Sequence, residues 1–394
     1  MSKQKHILLA VTGGIAAYKS CQLVRLLKKA GHEVTVAMSR SATEFIHPNT
    51  FQALSGQPVL VETHGDADAN GMAHINLTRQ ADVMLIAPAT ANTVAKIAHG
   101  IADNLISNLV AARNCPLVVA PAMNVQMWLN PANLRNIQQL KDDGVVVLEP
   151  NSGEQACGEV GMGRMLEAEE IVDLLPDVWH SKPLFGMNVM ITTGATFEAI
   201  DPVRGITNIS TGQMGVALAR ACRQAGAQVT LIYGQIQTAL PNRLAHTIQA
   251  ISAQQMYDAV HQHIHAQDVF ISVAAVADYR VKNASEQKIK KQAGVAPVIE
   301  LTENPDILAS VSGLDNPPFC VGFAAESHDL LNHARAKRQR KNVPLLVANL
   351  VREAMGKQTN SVTLIDDEAE SALPSMDKAQ VAQAIVERIA YLLP

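Results

Sequence analysis

Val11-Thr-Gly-Gly-Ile-Ala-Ala-Tyr-Lys19 is the stretch on which the fold turns. It follows the apolar run His6–Val11 and opens an amphipathic stretch at residues 15–30, so it predicts a strand, a glycine turn and a helix. Glycines at such a turn let backbone N–H groups approach an anion at a helix N-terminus, where the helix dipole also favours negative charge. Moving outward, apolar runs of strand length recur at Glu33–Met38, 83–87, 117–120 and 145–148, with a helical stretch at 131–143. Continuous apolar strands alternating with amphipathic helices predict a parallel sheet covered on both faces. The turn is not GxGxxG. Gly13 and Lys19-Ser20 have Walker A spacing, but Tyr18 replaces the second glycine, which argues against a P-loop.

The alternation breaks at residues 174–183, which carry Pro176 and Pro183, and then restarts. Strands are expected at 188–192, Gln228–Tyr233, 269–273, 319–323 and 345–348, and helices at 214–226, 253–265, 329–341 and 377–393. The chain therefore reads as α/β, with two doubly wound Rossmann-like domains at 1–185 and 186–394. Composition agrees. The 394 residues are 48% hydrophobic and only 17% charged, enough apolar surface for cores and unlike a disordered chain or coiled coil. A net charge of −4 provides no global basic field for nucleic acid, and 4% aromatics provide no stacking platform for it. Five cysteines form no CxxC pair and no even disulfide framework, and no run approaches ~18 apolar residues. The expectation is a cytoplasmic protein with no membrane partner.

Two strand ends in the first half are polar: Pro88-Ala-Thr-Ala-Asn-Thr93 and Pro121-Ala-Met-Asn-Val-Gln-Met-Trp128. Ligands of open parallel sheets bind beyond the carboxyl ends of strands, which makes Thr90, Asn92 and Asn124 candidates. One of Thr90 and Asn92 reads equally well as a helix N-cap. Residues 151–164 read as a glycine-rich loop carrying Cys157, whereas the other cysteines lie in or beside apolar segments. Alone, Cys157 stays open between chemistry and accident, and His74 is ambiguous. Taken together, His74-Ile-Asn-Leu, Pro121-Ala-Met-Asn-x-x-Met-Trp128 and Ala156-Cys-Gly-x-x-Gly-x-Gly-Arg-Met165 resemble the homo-oligomeric flavin-containing cysteine decarboxylases.

The resemblance implies a flavodoxin-like domain that uses FMN to decarboxylate phosphopantothenoylcysteine. An α-amido carboxylate loses CO₂ poorly because the resulting carbanion has no electron sink. Oxidation of the thiol to a thioaldehyde supplies one, and the cofactor then returns the hydride. By resemblance Cys157 is the proton donor, His74 the acid/base residue and Asn124 the group that grips the substrate carboxylate. Gly13, Gly14, Ile15, Ser39, Thr90, Asn92 and Met123 would hold FMN.

In the second half, Lys282, Lys288, Lys290 and Lys291 form one basic cluster and residues 335–341 another, both after strand ends, which suggests a small polyanion. Asp278, just beyond an expected strand, could hold Mg²⁺ together with phosphates. Asp201-Pro-Val-Arg-x-Ile-Thr-Asn-x-Ser-x-Gly212, Ala274-Ala-Val-Ala-Asp278, Lys288-Ile-Lys-Lys291, Asn304-Pro-Asp-Ile307 and Gly322-Phe-Ala-Ala-Glu326 resemble the phosphopantothenate–cysteine ligase domain. The bacterial form fuses that domain behind the decarboxylase in the order seen here. The resemblance implies a CTP-dependent ligation of phosphopantothenate to L-cysteine through an acyl cytidylate. Ser272, Val273, Ala274, Pro305, Asp306, Ile307, Leu308, Phe323, Lys337 and Lys341 would line the CTP site. Asp278 would hold the metal, Mg²⁺ or Mn²⁺, or the triphosphate, Lys288 would assist cytidylate formation or read the nucleotide, and Asn208 would handle the acyl cytidylate.

Three positions depart from the usual ligase pattern: Phe197 stands for Arg, Gly205 for Tyr and Gln213 for Lys. The resemblance further implies flavin-half trimers joined through ligase-half dimers, a combination that a closed dodecamer satisfies. A non-catalytic regulatory flavoprotein of the same fold is the rival reading, and it leaves residues 186–394 without a purpose. His261 and His265, at helical i, i+4 spacing, offer fewer ligands than zinc requires.

Overall fold

The first apolar runs become a single parallel sheet. The structure is a computed structural model that describes residues 4–61, 73–156, 158–290, 298–350 and 359–393. It divides into two units, Met1–Val178 and Trp179–Pro394. In the first, β1 (His6–Val11), β2 (Glu33–Met38), β3 (Leu60–Val61), β4 (Val83–Ala89), β5 (Leu117–Pro121) and β6 (Val146–Val147) stand in the order β3-β2-β1-β4-β5-β6. All neighbours pair in parallel. Every residue of β4 and β5 is buried, as apolar strands covered on both faces must be. The helices are α1 (Ala17–Lys29), α2 (Pro48–Ser55), α3 (Ala73–Gln80), α4 (Ala91–Ala98), α5 (Leu105–Ala112), α6 (Val125–Leu129), α7 (Pro131–Asp142) and α8 (Ala168–Leu174). Helix α1 buries Leu23, Val24 and Leu27, one apolar stripe at helical spacing. The strand order reverses between β1 and β4, and this switch point opens the crevice in which ligands of such sheets bind.

The glycine-rich segment is not a loop. Residues Asn151–Glu154 (β7) and Val160–Arg164 (β8) pair antiparallel. Glycines suggested irregular chain, but Gly163, at φ +132°, lies so close to the segment joining β5 to α6 that only glycine fits: a Cβ there would sit 2.2 Å from the Met123 carbonyl oxygen.

The second unit repeats the plan. Its strands β9 (Asn188–Thr193), β10 (Phe197–Ala199), β11 (Gly205–Thr207), β12 (Gln228–Tyr233), β13 (His246–Gln249), β14 (Val269–Ser272), β15 (Tyr279–Val281) and β16 (Leu301–Glu303) are followed by β17 (Phe319–Glu326) and β18 (Leu345–Leu350). After these come β19 (Thr359–Asn360), β20 (Thr363–Ile365), β21 (Glu370–Ala372) and β22 (Met376–Asp377). The main sheet runs β13-β12-β9-β14-β17-β18-β20-β21. The first six strands are parallel, while β20 and β21 add an antiparallel edge too short to carry a sequence period. Helices α9 (Gln213–Gln224), α10 (Ala253–His263), α11 (Ile307–Ser312), α12 (Leu330–Lys341) and α13 (Lys378–Leu392) flank it. Leu218, Ala219 and Cys222 of α9 share one core with Val381, Ala382, Ile385, Val386 and Ile389 of α13. Burial pushes the Cys222 thiol up to about 12, consistent with a structural cysteine.

Candidate functional site

In the first unit a 680 Å³ cavity opens beyond the carboxyl ends of β1, β4 and β5. Six of the sequence candidates line it: Gly13, Gly14 and Ile15 from the β1–α1 turn, Thr90 from the start of α4, and Met123 and Asn124 from the β5–α6 junction. Thr90 settles the capping question, because its Oγ1 accepts the Thr93 N–H at 3.2 Å while the residue also faces the cavity. Its own N–H donates to Thr12 Oγ1 at 3.1 Å, and that hydroxyl donates to the Pro88 carbonyl at 2.8 Å, so β1 and β4 are locked together at the site. Asn124 caps α6, its Oδ1 accepting the Met127 N–H at 2.9 Å, and its Nδ2 donates to Glu159 at 3.3 Å.

Other candidates fall elsewhere. Ser39 Oγ lies 3.2 Å from Ser41 Oγ and caps the short turn Arg40–Glu44, and Asn92 is exposed on α4; neither lines the cavity. His74 falls within α3, but its side chain is outside the described residues, as is Cys157 altogether. The argument against a P-loop holds in the geometry. Lys19 is buried, its Nζ donating to the Met165 carbonyl at 2.8 Å and to Glu167 at 2.9 Å, and Ser20 donates to the Ala87 carbonyl. Sequence reasoning missed Gln155. Its Oε1 accepts the Val125 N–H at 3.0 Å and its Nε2 donates to the Met162 carbonyl at 3.1 Å, tying the hairpin to α6. Its place one residue before Ala156-Cys157 was the only available signal. Arg164 brings a cation to the cavity wall.

In the second unit, Lys337 and Lys341 lie one turn apart on α12. Lys337 Nζ donates to the Phe323 carbonyl at 2.8 Å, and Lys341 pairs with Asp306, the N-cap of α11. Burial pushes both ammonium groups below the usual lysine range, and the Asp278 carboxylate opposes that push on each. Asp278, Asp306, Phe323, Lys337 and Lys341 thus form one electrostatic neighbourhood beyond β14 and β17. Ile307 and Leu308 bury their side chains in the core, leaving only backbone for a ligand. Val273 and Phe323 line a smaller cavity at the start of α9. Ser272 and Ala274 flank Val273 at the end of β14, and Pro305 immediately precedes Asp306.

Asn208 lines a separate 790 Å³ cavity, its Nδ2 donating to the Ala275 and Val276 carbonyls at 3.1 and 3.2 Å. Lys288 is exposed, and its neighbour is anchored. Asp201, 2% exposed, accepts the Ile289 N–H at 3.1 Å and holds Arg204, which in turn donates to the Ile289 carbonyl at 3.0 Å. The Arg204 guanidinium keeps the Asp201 carboxyl well below the usual carboxylate range. The Phe197 and Gly205 departures prove to be one feature: a Cβ at Gly205 would lie 2.3 Å from Phe197 Cζ, so the ring fills the space that glycine leaves. His261 is held by Ser310 at 2.9 Å and lies against Tyr257, and no cluster of three metal-ligating side chains occurs among the described residues.

Two family models divide the chain. A flavoprotein model matches residues 1–180, and a DNA/pantothenate metabolism flavoprotein C-terminal domain matches residues 184–392. A coenzyme A biosynthesis bifunctional protein, CoaBC, of Vibrio vulnificus (strain YJ016) is 46% identical over 394 residues, covering 99% of this chain and 98% of its own. The chain belongs to the CoaBC family. CoaBC membership makes it a bifunctional enzyme of coenzyme A biosynthesis, decarboxylase and ligase, and its first half a flavoprotein. Among solved structures, the C-terminal domain of a CoaBC protein is 36% identical at a TM-score of 0.47, covering 54% of this chain and 98% of its own. A PPC decarboxylase mutant complexed with pantothenoylaminoethenethiol is 34% identical at 0.41, covering 45% and 99%. No helix among the described residues is long and apolar enough to cross a membrane.

Proposed function

We propose that residues 1–185 hold FMN and decarboxylate phosphopantothenoylcysteine to phosphopantetheine, and that residues 186–394 use CTP to join phosphopantothenate to L-cysteine through an acyl cytidylate. The observation that carries this reading is the 680 Å³ cavity at the strand-order switch point, where Gly13, Gly14, Thr90 and Asn124 converge. The donor set fits the cofactor. The first turn of α1 and Arg164 suit its phosphate, and Ile15, Met123 and Met127 supply apolar wall for its ring. When bound, FMN supplies the two-electron exchange with the substrate thiol.

The chain's own groups do the rest. Asn124 Nδ2 already donates to one carboxylate, that of Glu159, and would donate in the same way to the substrate carboxylate. Cys157 would deliver the final proton, and His74 would act as acid/base. In the ligase half, Lys337 and Lys341 would neutralise the nucleotide, Lys288 would assist cytidylate formation and Asn208 would position the acyl cytidylate. Asp278 with the phosphates would hold Mg²⁺ or Mn²⁺, since such ions commonly bind through one carboxylate plus substrate phosphates.

Ile15 and Tyr18 are 61% and 57% exposed, and with Met127 and Leu129 they leave an apolar rim that supports burial against another copy. A cytoplasmic dodecamer of trimers joined through dimers is the assembly we assign. The test is a coupled assay of CTP-dependent pyrophosphate release and CO₂ release. Cys157→Ser should release CO₂ yet accumulate a decarboxylated product two hydrogens lighter than phosphopantetheine. Lys288→Gln should suppress pyrophosphate release and leave decarboxylation of supplied phosphopantothenoylcysteine intact. Normal phosphopantetheine from Cys157→Ser, or pyrophosphate release that does not need CTP, would overturn the assignment.

A further inference from the structure

The Asn124 amide has two ends, and both are engaged. Its Oδ1 accepts the Met127 N–H at 2.9 Å, which caps α6 and fixes the plane of the amide. Only Nδ2 is left to reach a ligand, and it donates to Glu159 Oε2 at 3.3 Å. Asn124 lines the 680 Å³ cavity and Glu159 does not, so the carboxylate meets the amide at the edge of the cavity.

Backbone contacts on both sides bring Glu159 to this point. Its carbonyl accepts the Gln155 N–H at 2.8 Å, tying the end of β7 to the start of β8. Gln155 Oε1 accepts the Val125 N–H at 3.0 Å, and a Cβ at Gly161 would sit 2.7 Å from Val125 Cγ2. The residues before and after Glu159 are thus fastened to the start of α6, where Asn124 stands.

A single amide nitrogen serves two carboxylates badly. Two like charges that accept from it lie close together, and each disfavours the ionised form of the other. The substrate carboxylate must therefore take the place of Glu159. The decarboxylated product brings no such group, and an amide donor left unpaired inside a site is costly. Glu159 is the acceptor at hand when CO₂ departs.

We propose that Glu159 is an internal competitor for the substrate carboxylate. It holds the Asn124 amide in the empty site, gives way to phosphopantothenoylcysteine, and returns as CO₂ leaves. The proposal rests on the reading of Asn124 as the group that grips that carboxylate. Glu159 is a positioning residue that works through Asn124 and forms no covalent bond. The electron pair of the broken C–C bond goes to the sulfur-conjugated system, as in the uncompeted reaction. A contact regained as charge leaves the carboxyl group opposes the bound substrate and favours the step that follows it.

The experiment is calorimetric titration of the full, flavin-loaded chain with two probes that differ only in a carboxylate. One is 4′-phosphopantothenoylserine, in which a hydroxyl replaces the thiol to be oxidised; the other is 4′-phosphopantothenoylethanolamine. Glu159→Gln and Glu159→Ala are each expected to tighten the serine probe by about fivefold or more and to leave the ethanolamine probe within about twofold. Asn124→Ala should weaken the serine probe, and in that background Glu159→Gln should move neither probe beyond about twofold. In turnover, Glu159→Gln should lower KM and kcat together, the mark of relieved opposition to the bound substrate. A serine probe that is unchanged or weaker in both Glu159 variants, while Asn124→Ala still weakens it, would overturn the competitor and leave the reading of Asn124 standing. An equal change in both probes marks a merely structural glutamate and overturns it as well. If Asn124→Ala leaves the serine probe unchanged, the grip on the carboxylate is itself wrong, and the competitor falls with it.

Discussion

Adding one methyl group at Gly163 should empty the first unit of its flavin. The Cβ would arrive 2.2 Å from the Met123 carbonyl oxygen, a backbone atom that no rotamer change can move. The residue also sits at φ +132°, where a side chain is strained by about 1–3 kcal/mol. Overpacking of this kind adds about 1–3 kcal/mol. The strand cannot simply retreat, because the Met123 N–H donates to the Gly163 carbonyl at 3.0 Å and Gln155 ties the same hairpin to α6. The expected cost is therefore about 2–6 kcal/mol, and for a unit of this size each kcal/mol lowers Tm by roughly 2–4 °C. Gly153 is the internal control on the partner strand. A Cβ there would meet only the Arg164 side chain at 3.5 Å, an ordinary contact, so Gly153→Ala should change stability by less than about 1 kcal/mol. Flavin absorbance of the purified variants and their melting curves decide the matter. If Gly163→Ala keeps full flavin and melts within a degree of the parent, the docking of β8 on Met123 is not what forms the cavity.

Gly205→Ala should cost about 1–3 kcal/mol by driving its Cβ into Phe197, and Phe197→Leu in the same chain should return most of it; additive losses in urea titrations would break the pairing. Asp366, buried and holding the Arg388 guanidinium at 2.9 and 2.8 Å, has its carboxyl depressed as Asp201 does. Both bind protons more weakly in the fold than when unfolded, so the stability they contribute is present above about pH 4 and lost as pH falls below it. Urea midpoints should fall progressively as pH drops below about 4, and the slope should shrink in Asp201→Asn; an unchanged slope would rule out this source.

The sequence was most legible where burial leaves little choice. The strand read at Gln228–Tyr233 matches β12 residue for residue, and its four central residues, Val229 to Ile232, are all buried, as a strand covered on both faces requires. Gly13, Thr90 and Asn124 could be grouped because strand ends of a parallel sheet share one edge. The hairpin of β7 and β8 stayed hidden because Gly161 and Gly163 serve close approach and not looseness. Gln155 was hard to read for another reason: it acts through Val125 and Met162, partners that only the fold brings near.

The C-terminal helix also bears on how the chain is made. All six parallel strands of the first sheet, and the residues that line its cavity, have been synthesised by residue 165. That half can settle while the ribosome is still translating the second. The second sheet has no such early completion, because α9 shares its core with residues 381–389. Until those residues emerge, Leu218 and Cys222 lack the helix they pack against. A message cut short anywhere in the last helix should yield a yellow protein with an unfinished partner.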